Sequence, residues 1–247
     1  MIPTLQRWCV DLAGSRVLEV GCGDGGCAAE FARAGARVTA LDVDPRLVQI
    51  CAALNEREGL EIHTSVGDIT DPNSPGLLRG PFDIVLLRDV VEHIEDLELA
   101  LRVVRSRLTP EGVIYVVFPP YYSPYGAHQQ ILPKRKLGAL PYNKLPYIQL
   151  LPEAVFRRLV AGDAPPHREV ARLRRIRLTL HRFHAQIRAA GLRIRNRKLY
   201  LLRPSFKLRY GLPVLGAGFL GRIPVVNEIV VTGAHYLLER ETPASST

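Results

Sequence analysis

A glycine-rich stretch, EVGCGDGG, begins at Glu19 and concentrates residue types that could bind a cofactor. Its glycines allow the backbone to turn sharply and to approach a ligand more closely than residues with side chains do. The stretch also fits G-x-G-x-x-G through Gly21, Gly23 and Gly26, the pattern that binds dinucleotides. Glu19 and Asp24 flank the loop, however, and negative charge is unfavourable beside phosphates. The loop therefore favours a cofactor that carries an ammonium or sulfonium group.

A second stretch, FPPYYSPYGAHQQ, begins at Phe118 and follows an apolar run. A plain connection between two elements needs only about 2 to 6 residues. This one holds three prolines and three tyrosines, which form rigid, aromatic-walled pockets. We expect Tyr121, Tyr122 and Tyr125 to contact a substrate.

The elements that must position both stretches alternate along the first half of the chain. Helical patterns cover residues 27–35, 45–58 and about 95–108, and TPEG at 109–112 is predicted to be a turn. The apolar, β-branched runs typical of strands are RVLEV (16–20), ARVTALD (36–42), LEIHTSV (60–66), FDIVLLRD (82–89) and GVIYVVF (112–118). Strands that are apolar on both faces indicate an α/β fold with a parallel sheet covered by helices. Ligands bind at the carboxyl ends of such strands, where both stretches begin.

The segment VLEVGCGDGG resembles the first motif of class I S-adenosylmethionine-dependent methyltransferases. Within that class it resembles methyltransferase type 11/12 and the quinone-biosynthesis-like small-molecule methyltransferases. Further motifs follow in the expected order in ALDVD, VGDI and FDIVLLRDVVEHI. The resemblance implies S-adenosylmethionine as cofactor and a loop that binds it through Glu19, Gly21, Cys22 and Gly23.

The same resemblance assigns roles to residues beyond the loop. It implies that Asp42 accepts hydrogen bonds from the ribose hydroxyls and that Val43 packs on the adenine. Asp68 is placed where the family accepts the adenine amino group, with Ile69 beside the ring. Asp42 could instead cap a helix and Asp68 could cap the turn DITDPN, so both alternatives stay open at this point. The backbone at Leu87 and Arg88 is expected to line the methionine part of the cofactor.

The resemblance also implies the architecture of the whole chain. We expect a Rossmann-like, seven-stranded, mostly parallel sheet whose antiparallel seventh strand lies between the fifth and the sixth. Residues 192–202 and 228–238 are the predicted sixth and seventh strands, joined by an apolar linker at 204–227. The predicted organisation is a cofactor-binding core (1–120), an inserted helical substrate cap (121–178), a C-terminal helix with the last two strands (179–240) and a disordered tail (241–247). The linker could lie under the sheet, contact a second copy or contact a membrane.

Methyl transfer from a sulfonium requires alignment of the acceptor and, for some acceptors, removal of a proton. Two histidines near the ends of strands four and five, His93 and His128, are the predicted proton acceptors. Asp89, Glu92 and His93 form D-x-x-E-H, similar to metal-binding clusters of quinone-biosynthesis and small-RNA 2′-O-methyltransferases, where a later histidine joins. Because E-H at this place is also common in metal-free members, we predict no metal site.

Composition limits the function further. The chain has 247 residues and a net charge of +9, but residues 1–120 carry −7 and residues 121–210 carry +17. This asymmetry, together with the basic helical pattern HREVARLRRIRL, suggests an anionic acceptor, nucleic acid or a membrane surface near the second half. The four cysteines show no C-x-x-C pairing, and neither an apolar run of membrane-spanning length nor a secretory signal is evident, so we expect a cytoplasmic location.

These observations predict an S-adenosylmethionine-dependent methyltransferase that acts on a small-molecule or lipid-linked acceptor, most readily on oxygen. A nucleic-acid partner is not favoured, because no recognised RNA-binding module is present. The alternatives are an RNA 2′-O-methyltransferase and a non-catalytic pseudoenzyme that only binds S-adenosylmethionine.

Overall fold

The structure is a computed structural model, and it describes residues 1–133, 136–137 and 140–241. The strands, in chain order, are β1 (Arg16–Val20), β2 (Arg37–Asp42), β3 (Ile62–Val66), β4 (Phe82–Arg88), β5 (Leu108–Phe118), β6 (Lys136–Leu137), β7 (Leu140–Pro141), β8 (Leu192–Leu202), β9 (Leu215–Gly216) and β10 (Gly233–Arg240). The helices are α1 (Ile2–Arg7), α2 (Gly26–Arg33), α3 (Pro45–Glu58), α4 (Pro75–Leu78), α5 (Leu97–Ser106), α6 (Glu153–Leu159), α7 (Pro165–Ile176), α8 (Leu180–Ala189), α9 (Pro204–Tyr210) and α10 (Val226–Val230). Among the described residues, no helix combines the length and apolar character needed to cross a bilayer.

The main sheet has eight strands in the order β3-β2-β1-β4-β5-β10-β8-β9. The first five are parallel, and β10 runs antiparallel between β5 and β8. The α/β fold with an inserted antiparallel strand is therefore confirmed. The predicted count of seven was wrong by one, because two residues of the linker form β9, which pairs with β8 at the edge of the sheet.

Both faces of the sheet are covered, and this explains why the strands read as continuous apolar runs. In β5, every residue from Gly112 to Phe118 is buried. One apolar cluster lies on the side of α5 and α8, around Phe118, Phe183 and Tyr236, and a second lies on the side of α1 and α2, around Phe31 and Tyr115. Each such buried large side chain contributes about 1.5 to 3 kcal/mol, so the core fixes the strand ends at which the loops of interest begin.

Residues 121–178 hold a small apolar cluster of their own. Phe156 of α6 packs with Val170 and Leu173 of α7, and these three side chains are at most 1% exposed. The guanidinium of Arg174 lies 3.9 Å from the centre of the Phe156 ring. Val170 and Leu173 of the basic stretch HREVARLRRIRL therefore face this cluster, whereas Ile176 packs against the core of the sheet. These contacts hold α7 at the edge of the sheet.

Several predicted boundaries were wrong near the C-terminus. The strand predicted at 228–238 occupies Gly233–Arg240 instead, and Val226–Val230 is a short helix. Glu228 explains the difference, because its carboxylate accepts hydrogen bonds of 2.9 Å from the backbone N–H groups of Leu180 and His181 at the start of α8. Nearer the middle of the chain, the turn predicted at TPEG (109–112) was also wrong. These residues are part of β5, and the pairing of β5 with β4 skips from Leu108 to Val113. Residues 242–247 of the predicted tail lie outside the described residues.

Candidate functional site

The glycine loop after β1 has the backbone conformation that the sequence requires. Gly21 and Gly23 have φ angles of +67° and +56°, which side-chain-bearing residues rarely adopt. A Cβ at Gly21 would lie 2.5 Å from Cγ2 of Val90, whereas a Cβ at Gly23 would meet nothing within 4 Å. Gly21 is therefore needed for a close approach between two loops, and Gly23 leaves open space above the strand end.

Asp42, at the end of β2, connects this loop to the neighbouring turn. Its carboxylate accepts hydrogen bonds from Gly23 N (3.0 Å) and Asp44 N (2.9 Å). The cap of α3 is Asp44, whose carboxylate accepts a hydrogen bond from the backbone N–H of Arg46. The alternative role of Asp42 as a helix cap is therefore taken by Asp44. Asp42 is 8% exposed, and it therefore holds the glycine loop in place while it faces the space beside it.

A cavity of about 390 Å³ lies at the carboxyl ends of β1, β2, β3 and β4. Five residues with a predicted cofactor role line it together: Gly21, Asp42, Val43, Asp68 and Ile69. These ends meet because β3, β2 and β1 are neighbours in the sheet and parallel. The wall combines carboxylates with apolar side chains, and that mixture suits a nucleoside that carries a positive charge.

Asp68 has two partners that bear on its predicted role. Its Oδ1 accepts hydrogen bonds of 2.8 Å from both the N–H and the hydroxyl of Thr70. Asp68 thus caps the turn, as the alternative proposed, and lines the cavity as well. The two roles are compatible, because a carboxylate offers about four lone-pair directions.

Other residues with a predicted cofactor role lie elsewhere. Cys22 is fully buried in the core cluster beside α2, and Arg88 is exposed at the end of β4. Glu19 is 1% exposed, and burial raises its pKa to about 7 although the Cys27 thiol and Arg88 oppose this effect. The residues that line the cavity of about 390 Å³ do not include these three side chains.

A cluster of three ligand-type side chains lies at the ends of β4 and β5. Glu92 and His93 belong to a 3-10 turn after β4, and His128 follows β5 in the left-handed region with a φ of +53°. Nε2 of His128 lies 3.7 Å, and Nε2 of His93 3.9 Å, from Oε1 of Glu92. One ligand atom from each of the three residues lies within 4.8 Å of the others. The two predicted proton acceptors are therefore neighbours.

The electrostatics of this cluster are unusual. Glu92 is 4% exposed, and within the described residues neither of its carboxylate oxygens has a hydrogen-bond partner. Burial, and then the nearby Asp89, raise the pKa of Glu92 well above its ordinary value. Burial, and then His93, lower the pKa of His128 to about 4. A buried carboxyl group without a partner is stabilised by a cation or by a proton-donating ligand.

Two further groups at the cluster were not predicted from the sequence. Oε1 of Glu169, on α7, lies 2.5 Å from Nδ1 of His93, and this hydrogen bond lowers the pKa of Glu169. Arg203 approaches Asp89, with Nη1 3.5 Å from Oδ1. Asp89 therefore pairs outside the three-residue cluster, although the D-x-x-E-H pattern grouped it with Glu92 and His93. One signal was available, since Glu169 is the only acidic residue between Asp163 and Glu228.

The predicted substrate tyrosines have different surroundings. Tyr121 is 3% exposed inside the apolar cluster of residues 121–178. The hydroxyl of Tyr125 donates to the carbonyl of Lys144 at 3.3 Å. Tyr122 lines a second, more apolar cavity of about 720 Å³ between this cluster, the start of α8 and the β8–β10 connection. A contact of these tyrosines with an acceptor stays a prediction.

Comparison with known proteins is consistent with this geometry. Residues 18–116 match the family model described as a methyltransferase domain. A ubiquinone biosynthesis O-methyltransferase of Xanthomonas euvesicatoria pv. vesicatoria is 35% identical over 107 residues, 43% of this chain and 44% of that protein. The chain thus matches less than half the length of this curated relative.

Solved structures extend the similarity of fold to nearly the whole chain. An S-adenosylmethionine-dependent methyltransferase from Mesorhizobium loti superposes with a TM-score of 0.60 at 16% identity, over 96% of each chain. One from Clostridium acetobutylicum gives a TM-score of 0.59 at 12% identity, over 98% of this chain and 89% of the other. At such identities the likeness shows the fold. The comparisons favour neither the RNA methyltransferase nor the pseudoenzyme alternative, and they confirm the predicted resemblance to class I S-adenosylmethionine-dependent methyltransferases and its cofactor: residues 18–116 form a methyltransferase domain.

Proposed function

We propose that this protein transfers a methyl group to a hydroxyl oxygen of a small-molecule or lipid-linked acceptor. The observation that carries the proposal is the convergence of Glu92, His93 and His128 beside the cofactor cavity, whose wall also includes His93. An oxygen acceptor is supported further by the O-methyltransferase name of the relative that matches the core. An alcohol or phenol must lose its proton during transfer, and this cluster offers groups that can accept it.

S-adenosylmethionine, when bound, supplies a methyl group on a positively charged sulfur. We propose that Gly21 and Gly23 admit it close to the backbone, while Asp42 orients the ribose. Val43 and Ile69 would enclose the adenine with apolar surface. These contacts fix where the methyl group is presented, so an acceptor needs only to be held in line with it.

His93 is the proposed proton acceptor. Its Nδ1 faces the carboxylate of Glu169 at 2.5 Å, so the proton of the neutral ring belongs on Nδ1 and the lone pair on Nε2. Nε2 lies on the side of Glu92 and His128, where it can take the proton of an acceptor hydroxyl. Glu169 then stabilises the imidazolium that forms, and it acts as a positioning residue.

The same three side chains also fit a divalent cation. Glu92 offers a buried carboxylate without a partner among the described residues, and the two histidines offer nitrogen atoms within the same 4.8 Å. Such a cation, when bound, would occupy Nε2 of His93 and would lower the pKa of the acceptor hydroxyl, so it would replace that imidazole as the group that activates the acceptor. The sequence pattern led us to predict no metal site, whereas this geometry supports one.

The direct test uses S-adenosylmethionine with a labelled methyl group and a panel of catechols, phenols and prenylated quinols. We expect label in the ether of at least one acceptor, and a loss of about 100-fold or more in turnover for His93→Ala. Label found only on nitrogen or carbon would contradict the assignment to oxygen. Wild-type turnover in His93→Ala would remove that residue from the reaction.

A further inference from the structure

The connection between β8 and β10 exposes an unusual amount of apolar surface. The structure describes 17 exposed large apolar side chains, and eight of them lie within residues 208–225. The most exposed are Leu208 (91%), Phe219 (74%), Val225 (70%) and Tyr210 (62%). Single exposed apolar residues are ordinary, but a contiguous group marks an interaction surface. Residues 203–226 are called the basic apolar surface below.

The charge of this region has one sign. Residues 170–227 contain 14 Lys or Arg residues and no Asp or Glu residue. Lys207, Arg209 and Arg222 lie among the apolar residues, and all three are exposed. Within the described part of the chain, none of these three forms an ion pair, whereas Arg203 at the start of the segment pairs with Asp89. The surface therefore presents apolar groups and uncompensated positive charge together.

This combination of residues selects the partner. A second copy of the same face would bring like charges together, which opposes self-association. Nucleic acid would attract the basic residues, but its phosphate backbone gives no reason for exposed Leu208, Phe219 and Val225. An anionic bilayer satisfies both features, because its interface accepts apolar side chains and its headgroups attract Lys and Arg.

We propose that the basic apolar surface docks this protein on anionic lipid bilayers. Leu208 and Phe219 enter the interface between headgroups and acyl chains, while Lys207, Arg209 and Arg222 contact lipid phosphates. Docking is reversible, because it depends on a few side chains and on charge that salt screens. The proposal is independent of the methyl acceptor, although docking would bring the cavity beside Tyr122, which Arg222 and Val225 also line, close to the membrane.

The experiment is sedimentation of the full chain with vesicles of phosphatidylcholine alone or of phosphatidylcholine with about 30% phosphatidylglycerol. We expect binding to the anionic vesicles, at least 10-fold weaker binding to the neutral ones, and release by high salt. Leu208→Ser with Phe219→Ser, and Lys207→Glu with Arg209→Glu, should each weaken binding 10-fold or more. The matched controls are Ile50→Ser, at an apolar residue 52% exposed on α3, and Arg57→Glu, at a side chain 74% exposed.

Several outcomes would overturn the proposal. They are no binding to anionic vesicles, equal binding to both kinds of vesicle, or wild-type binding by both double variants. Dimerisation of the wild type that Phe219→Ser abolishes, without vesicle binding, would assign the surface to a second copy. Polyuridylate binding that requires Lys207 and Arg209 but not Leu208 and Phe219, again without vesicle binding, would assign it to nucleic acid. Thermal unfolding of each variant separates a surface effect from misfolding.

Discussion

Nδ1 of His93 and Oε1 of Glu169 lie 2.5 Å apart, although 76 residues separate them in the chain. His93 is fixed to the end of β4 by a 3-10 turn, and Glu169 is brought to it by α7, whose other face is buried against α6. The contact therefore couples the inserted segment to the sheet edge. It gives the imidazole a defined orientation at the place where an acceptor would lose its proton.

Replacing Glu169 by Gln should reduce turnover about 10-fold to 100-fold, because the amide holds the ring without stabilising its charged form. The acidic side of the pH–rate profile should move to lower pH in the variant, because the amide lacks the negative charge that stabilises an imidazolium beside it. Steady-state rates over a range of pH measure both effects. Glu98→Gln, at an exposed acid on α5, is the matched control. An unchanged pH profile would leave Glu169 with a structural role only.

A divalent cation should bind at Glu92, His93 and His128. We expect Mg²⁺, Mn²⁺ or Zn²⁺ added to chelator-treated protein to raise the thermal unfolding midpoint by a few degrees, because binding stabilises the folded state. Glu92→Gln should lose this response, while Glu95→Gln, three residues further along the chain, should keep it. If the midpoint of the wild type does not respond to any of these ions, His93 acts as a base without a metal.

The glycine at position 21 should be far less replaceable than one at position 14. Both have positive φ angles, of +67° and +73°, so alanine is strained at each. Only at Gly21 would the new Cβ meet a neighbour, Cγ2 of Val90 at 2.5 Å. Gly21→Ala should therefore cost about 1 to 3 kcal/mol more free energy of unfolding than Gly14→Ala. Urea unfolding measures the difference, and equal costs would show that the two loops separate easily.

The buried Glu19 should make stability fall as pH rises. Its pKa is about 7 in the folded protein against an ordinary value of 4.5, so the folded state binds more protons between these values. The cost of ionising Glu19 thus appears above pH 4.5 and is complete above pH 7, and it amounts to about 3 kcal/mol. Compared with wild type, Glu19→Gln should gain that free energy of unfolding at pH 8 but not at pH 4. A gain of the same size at both values, or for the exposed control Glu30→Gln, would contradict this origin.

The sequence was sufficient, for a physical reason, to predict that several of the candidate site residues lie together at one edge of the sheet. Gly21, Asp42 and Asp68 each follow a parallel strand, and the carboxyl ends of neighbouring parallel strands meet at one edge. His93 and His128 meet by the same rule, because β4 and β5 are paired. Topology therefore brings these residues together, whereas the cofactor roles of Asp42 and Asp68 are implied by the resemblance to a family.

Other contacts depend on packing that no local pattern contains. Glu169 reaches His93 only because α7 docks on α6, and Glu228 leaves its predicted strand because it caps α8. The aromatic stretch after β5 was predicted to face a substrate, yet Tyr121 is buried among apolar neighbours of its own segment. Side chains that can serve equally in a core or in a site need the tertiary structure to decide between them.

The most direct test of the account is a calorimetric titration of the protein with S-adenosylhomocysteine. Asp42 lines the cavity and holds the glycine loop, and a charged acceptor of ribose hydroxyls contributes about 1.5 to 3 kcal/mol. We predict one binding site for the wild type, affinity at least 10-fold weaker for Asp42→Ala, and affinity within about threefold of wild type for Asp44→Ala, which removes the cap of α3 and the ion pair of Asp44 with Arg46. A folded wild-type protein that shows no binding, or Asp42→Ala that binds as well as wild type, would contradict the account.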